Sequence, residues 1–213
     1  MVPDFRRDDV WIPAGVYPDG NRGRNDELAA SGGEYNPKGF KIEKADKMEN
    51  EILKGLQFNS EKGGLFYKEV RYLLIRPETL ATFQKAVEKE IGQKASQVLF
   101  QAGFQGGILS SKKYREVFGL SDEEIIHFMI EMGPQIGWGR FELEKFDPSE
   151  KILIVKVYHS PFAEAYDLST TSVCHFIRGV LGGMASVVFG REIVAKESTC
   201  LSKGDKYCRF IIM

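Results

Sequence analysis

"RFELEKFDPSEKILIVKVYH", residues 140–159, reads as a β-hairpin: two runs rich in β-branched and aromatic residues flank the turn-forming Asp147-Pro148-Ser149-Glu150. A second hairpin closes the chain, with "GREIVAKESTC" and "YCRFIIM" on either side of Lys203-Gly204-Asp205. One helical stretch separates the two. Strands that arrive as hairpins, rather than singly between helices, imply an α+β fold: an antiparallel sheet built from hairpins and packed against helices, not a parallel doubly wound one.

The intervening stretch carries Val173, Phe176, Ile177, Val180, Leu181, Met184, Val187 and Val188 at helical spacing, with Ser169, Thr170 or Ser172 available as the cap. Gly179 and Gly183, four apart, would let another backbone approach that helix closely. Upstream, "LFYKEVRYLLI" (65–75) has strand composition. Pro77 and Glu78 suit a first helical turn, and the spacing of Leu80, Phe83, Val87, Ile91, Val98 and Leu99 predicts one long helix over 78–103. "QAGFQGGILSS" is read as its end. Ser121 with Glu124 forms a capping box for a further helix, bearing Ile125, Met129 and Ile130, that ends near "GPQIGWG". Residues 1–45, rich in Gly, Pro, Asn and Asp, read as an irregular arm. It is either a flexible leader or a wrap around a partner subunit anchored by Trp11 and Tyr17. Residues 46–213 read as one domain.

The chain has 213 residues, 43% of them hydrophobic with 15 Phe, enough for a core without staples. Its net charge is -1 and its Lys and Arg are scattered, which excludes the basic face of a non-specific nucleic-acid binder. No run of 18 apolar residues suits a membrane span, and the first residues lack the apolar segment of a signal peptide. A cytoplasmic location is expected, where three cysteines favour thiols or a metal over a disulfide. There is no Gly-x-Ser-x-Gly elbow, phosphate loop or His-Glu-x-x-His, and "GWGRFE" lacks the third glycine of a dinucleotide fingerprint. No catalytic residue is assigned.

The cysteines carry the chemistry. With Gly204 at the centre of the last turn, Cys200 and Cys208 lie opposite one another, close enough for a disulfide, shared metal ligation, a redox pair or plain buried packing. Cys174 opens the helix, where the helix end lowers a thiol's pKa. Glu197 offers a carboxylate. Glu197 and Cys200 would face opposite sides of a regular strand, so any joint role requires a bulge, for example at Ser198-Thr199.

"YHSPFAEAY" (158–166), Cys174, "VFGREIVAKESTC" (188–200) and "KGDKYCRF" (203–210) resemble the 4-vinyl reductase domain family. That family includes archaeal hydrocarbon-binding proteins and the effector-binding domains of phenol- and xylene-responsive activators. The likeness is close over 150–213, loose over 50–213, and absent from the arm. It implies a fold related to the nitric-oxide-signalling and vesicle-tethering ligand-binding superfamily, dimers, and one zinc held by Cys174, Glu197, Cys200 and Cys208. It also implies an apolar ligand pocket whose wall includes "YHSPFAEAY". Trp138, Tyr158, Phe162, Tyr166 and Met184 are the candidate lining, each of which would equally serve as core. Family sensors carry a tryptophan near Phe162. His159 is a polar candidate near the pocket, His175 an alternative zinc ligand to Glu197, and His127 a surface residue of its helix. The expected function is a zinc-stabilised module that binds a small hydrocarbon or aromatic molecule. With no ATPase or DNA-binding region read in the chain, it would act through a partner protein. The alternative is an enzyme, accessory or carrier acting on a tetrapyrrole vinyl group or a similar hydrophobic substrate.

Overall fold

The computed structural model describes residues 49–213, so the arm with Trp11 and Tyr17 lies outside the described residues. A short helix α1 (Glu51–Gly55), capped by the Asn50 side chain, leads into strands β1 (Leu56–Asn59), β2 (Gly64–Tyr67) and β3 (Val70–Tyr72). These three make an antiparallel sheet in that order. The single strand expected over 65–75 is thus two strands and an exit. The chain turns at Lys68, whose φ is +53°, and Leu73, Leu74 and Ile75 leave the sheet exposed. Folding back gives β2 a ladder on both sides, where one long strand would leave an open edge.

Helix α2 (Pro77–Ile91) begins at the proline, as expected, and stops at Gly92, whose φ is +60°. A 3₁₀ turn, Gly92–Lys94, connects it to α3 (Ala95–Phe118). The helix expected over 78–103 is therefore corrected in two places: it breaks at Gly92, and its second part runs on through Gly103, Gly106 and Gly107. Those glycines are not breakers. A Cβ on Gly103 would sit 2.1 Å from the Phe176 carbonyl oxygen, and one on Gly107 would sit 2.2 Å from that of Val180. The converse holds for Gly179 and Gly183, which would meet the carbonyl oxygens of Phe100 and Phe104 at 2.1 and 2.0 Å. Two small-residue ridges, each with period four, let two backbones touch. Removing the side chains converts an intrinsic helix penalty of about 1 kcal/mol per glycine into close backbone packing along the seam.

Helix α4 (Asp122–Gln135) starts with both halves of the Ser121–Glu124 capping box. Strands β4 (Arg140–Asp147) and β5 (Ile152–Tyr158) form the first expected hairpin, its turn held by the Asp147 side chain accepting from the Ser149 and Glu150 amides. Helices α5 (Pro161–Tyr166) and α6 (His175–Phe189) follow, then β6 (Ala195–Thr199) and β7 (Cys208–Ile212), the second expected hairpin. The second sheet is antiparallel throughout, in the order β4-β5-β7-β6. The α+β class expected from the hairpins holds.

Period-two alternation decides what this sheet buries. Leu153, Val155 and Val157 on β5, with Phe210 and Ile212 on β7, are fully buried beneath Ile125 and Ile126 of α4 and Ile177, Leu181 and Met184 of α6. Each such side chain contributes roughly 1.5–3 kcal/mol on leaving water. The opposite face carries charge. Arg209 of β7 grips Glu144 of β4 through two hydrogen bonds, at 2.9 and 2.6 Å, across Lys156 of β5. Among the described residues, no helix is long and apolar enough to cross a membrane.

Candidate metal and ligand site

Cys174 ends the segment before α6 and takes the N-cap position; none of Ser169, Thr170 or Ser172 caps the helix. The Cys174 amide instead donates to Glu197 Oε2 of β6 at 3.2 Å, so a tertiary bond replaces the local cap. The bulge that Glu197 and Cys200 require is present: the β6–β7 register shifts between Glu197 and Thr199, which brings both side chains to one side. Cys200 follows β6 directly, and Cys208 opens β7.

The four donors converge. One ligand atom each from Cys174, Glu197, Cys200 and Cys208 lies within 4.8 Å of the others. Cys174 Sγ is 3.5 Å from Cys208 Sγ and 3.9 Å from Cys200 Sγ, and the Cys200–Cys208 pair is 4.0 Å apart. All three cysteines are free thiols, fully buried, and Glu197 is 8% exposed. Ser202 Oγ lies 3.1 Å from Cys200 Sγ, and the Leu201 amide donates to Cys208 Sγ at 3.4 Å.

Electrostatically this is a crowded set of acids. Hydrogen bonds with Cys174 and Cys208 hold the Cys200 thiol far below its ordinary pKa, making it the seat of negative charge. The same bonds, joined by burial and by Glu197, push Cys174 well up. That outcome corrects the expectation that the helix end lowers Cys174. Burial pushes Glu197 up to about 8. Its Oε1 is buried with no hydrogen-bond partner. Three thiol sulfurs, one orphaned carboxylate oxygen and repulsion among their charged forms make a donor set that fits a borderline-soft divalent cation. His175 stands outside the set: it begins α6, is half-buried, and its Nδ1 has no partner. His127 is exposed on α4, 4.0 Å from Glu123. His159, exposed at a φ of +53° between β5 and α5, lies 3.2 Å from Glu164.

Beside this cluster lies an apolar cavity of about 420 Å³. Phe176, Ile177, Val180, Leu181 and Met184 of α6 form one wall, Met129, Met132 and Gly133 of α4 another. Ser110 and Tyr114 of α3, Tyr72, Leu73, Ile75 and Leu80, and Trp138, Phe141 and Phe162 complete it. A recess of about 270 Å³ adjoins it, sharing Leu73, Ile75, Leu80, Ile136, Trp138 and Phe162. Trp138 and Phe162 meet edge to face there, ring centres 5.3 Å apart.

Of the five residues expected to line a pocket, Trp138, Phe162 and Met184 do so. Tyr158 and Tyr166 do not, and each has a physical reason. Tyr158 falls on the charged face of β5 by alternation, its hydroxyl donating to Glu142 at 3.1 Å under the Arg140 guanidinium. Tyr166 ends α5 and turns to α2, where its hydroxyl donates to Glu88 and Lys85 lies over its ring. Tyr72, Tyr114, Met129 and Met132 line the cavity without having been expected there. Ser110 and Tyr114 share a helical face four apart, a signal that is lost when the helix is read as ending at the glycines.

Comparison with known proteins follows the same division. Residues 153–213 match the vinyl-4-reductase domain, and residues 51–147 match a family described as activator of aromatic catabolism. The phenol regulator MopR of Acinetobacter guillouiae is 24% identical over 188 residues, 80% of this chain and 32% of that protein. The transcriptional regulatory protein XylR of Pseudomonas putida is 24% identical over 186 residues, 78% of this chain and 32% of its own. The chain thus spans about a third of the length of these relatives. The crystal structure of the phenol-responsive sensory domain of the transcription activator PoxR, with phenol, superposes with a TM-score of 0.64 at 19% identity. It covers 79% of this chain and 90% of that one, a likeness of fold. Residues 153–213, holding the second hairpin, α6 and all four converging donors, therefore belong to the vinyl-4-reductase domain family, the 4-vinyl reductase family that the sequence resembles.

Proposed function

We propose that residues 49–213 form a metal-stabilised module that binds one small, neutral, largely apolar or aromatic molecule in the cavity. One observation carries the reading: helix α6 starts at the cysteine cluster and forms a wall of the cavity, so one element serves both. Cys174, Glu197, Cys200 and Cys208 would hold a zinc ion. Four protein ligands leave no position for water, so the ion would supply folding energy and rigidity rather than chemistry. The three buried thiols suit a reducing compartment such as the cytoplasm. The cavity falls in the lower part of the range of roughly 300–1,000 Å³ that small-molecule sites occupy, which suits one or two rings. The names of the relatives support an aromatic ligand class, and a regulator's logic supports a dimer that passes the binding event to a partner protein.

Native mass spectrometry of protein purified without chelator tests all of this in one measurement. The expected species is a dimer with one zinc per chain that takes up one added p-cresol or p-xylene per chain. Protein without metal would remove the zinc assignment. No uptake of either compound would remove the ligand assignment, and a copurified pigment would favour the tetrapyrrole alternative.

A further inference from the structure

The cavity lining contains no charged side chain, and its polar side-chain atoms gather at one end: the hydroxyls of Tyr72, Tyr114 and Ser110, away from the Trp138 indole near the recess. Tyr114 is buried, yet its hydroxyl has only a thioether partner, Met132 Sδ at 3.5 Å. The Tyr72 hydroxyl points to the same sulfur, at 3.7 Å. A thioether is a weak acceptor, so two phenolic O–H groups share one poor partner inside an otherwise apolar cavity. Buried polar groups are ordinarily well partnered, and departures from that rule mark strain or function. Burial holds both tyrosines above their ordinary pKa, which keeps them as neutral donors at physiological pH.

We infer that Tyr114 and Tyr72 form the polar subsite of the cavity, selecting a neutral hydrocarbon-bodied ligand that carries one hydrogen-bonding oxygen. The inference rests on the ligand-binding reading above and sharpens it. The ring or chain of the ligand would lie against α6 and the Trp138–Phe162 pair, with its oxygen at the tyrosine end. A hydroxyl oxygen there can accept from one tyrosine and donate to the other, or to the Met132 sulfur. A carboxylate would enter without a cation to compensate its lost hydration, so anions are excluded. The geometry does not demand an oxygen: a plain hydrocarbon still fits, but leaves the tyrosines as they are.

Three probes differing at one substituent test this, each titrated calorimetrically against the metal-loaded protein: p-cresol, p-xylene and p-toluate. Wild type should prefer p-cresol to p-xylene and give no heat with p-toluate. Tyr114→Phe, and separately Tyr72→Phe, should weaken p-cresol roughly three- to tenfold, the equivalent of one hydrogen bond, and leave p-xylene unchanged. Tyr72 is only half-buried, so its variant is available even where Tyr114→Phe perturbs folding; a thermal melt of each variant checks this. If both aromatics bind but neither variant discriminates between them, or if p-toluate binds as well as p-cresol, the subsite is overturned while the ligand reading stands. If neither aromatic binds wild type, both fall together.

Discussion

The cysteine cluster and the cavity adjoin the same helix yet are built on opposite principles. The cluster is dense and specific: four named donors within 4.8 Å, hydrogen-bonded mainly to one another. The cavity is diffuse: apolar side chains from α3, α4, α6 and three connecting segments, none of them special alone, enclosing about 420 Å³. The difference teaches where information resides. A cluster needs particular atoms at particular places, so its residues are constrained in kind. A cavity needs only a shape, which many apolar residues can supply.

The sharpest way to break the comparison is at the cluster. Cys208→Ser, or wild type treated with a chelator, should lower the melting temperature by about 10 °C or more. Losing one member of a buried compensated charge set costs roughly 3–5 kcal/mol, and each kcal/mol moves a domain of this size by about 2–4 °C. The variant should also weaken p-cresol binding without touching the ligand, because the cluster fixes the start of α6; saturating p-cresol should restore part of the loss through linkage. Thermal melts with and without p-cresol decide it. A variant that melts and binds like wild type would separate cluster from cavity altogether.

A smaller effect should distinguish the two regions. Gly183→Ala places a methyl group 2.0 Å from the Phe104 carbonyl oxygen, and overpacking of this kind costs about 1–3 kcal/mol. The strain falls on the seam of α6, nine residues past Cys174 in sequence and beside the cavity wall. Metal content should stay at the wild-type level while p-cresol affinity falls. Loss of metal together with ligand would show that α6 transmits the disturbance as one rigid rod.

The smallest effect is on the far face of the second sheet, where neither region reaches. Arg209 holds the Glu144 carboxyl down to about 2. A depressed carboxylate stabilises the fold above its unfolded pKa and loses that contribution as pH falls through the window from about 4.5 towards 2. The pair is partly exposed, so the contribution is at most ~1 kcal/mol. Glu144→Gln should therefore lower stability slightly at pH 7 and match wild type near pH 2, as read from denaturant melts at the two pH values.

The same contrast explains what can be read before any coordinates. The two hairpins, the Ser121 capping box and the need for a bulge near Ser198 are all legible, since each depends on local spacing. The four donors are legible through resemblance and one geometric requirement. The glycines of α3 mislead because a glycine's meaning is set by its neighbour. Alone, Gly103 and Gly107 look like a break, and only opposite Gly179 and Gly183 do they become half of a seam. Tyr158 belongs to the outer face by strand alternation applied strictly from Val157, a rule that outranks its place in the matching motif. The tyrosine end of the cavity is invisible in the sequence because it joins a residue of β3 to residues of α3 and α4, far apart along the chain.

The glycine seam has a consequence for how new ligand preferences could arise. At each of its four positions the obstacle to a side chain is a backbone carbonyl on the facing helix, not another side chain. No second substitution can make room for the first, so compensatory evolution is closed there and the α6 wall is inherited as a fixed surface. The opposite wall is free of this restriction. Leu73 and Ile75 belong to an exposed connecting segment, and Leu80 faces the same space; their sizes can be exchanged one at a time without moving a helix. Selection, or a laboratory library, would retune this cavity from the side of residues 73–80, with α6 as the anvil against which each new shape is formed.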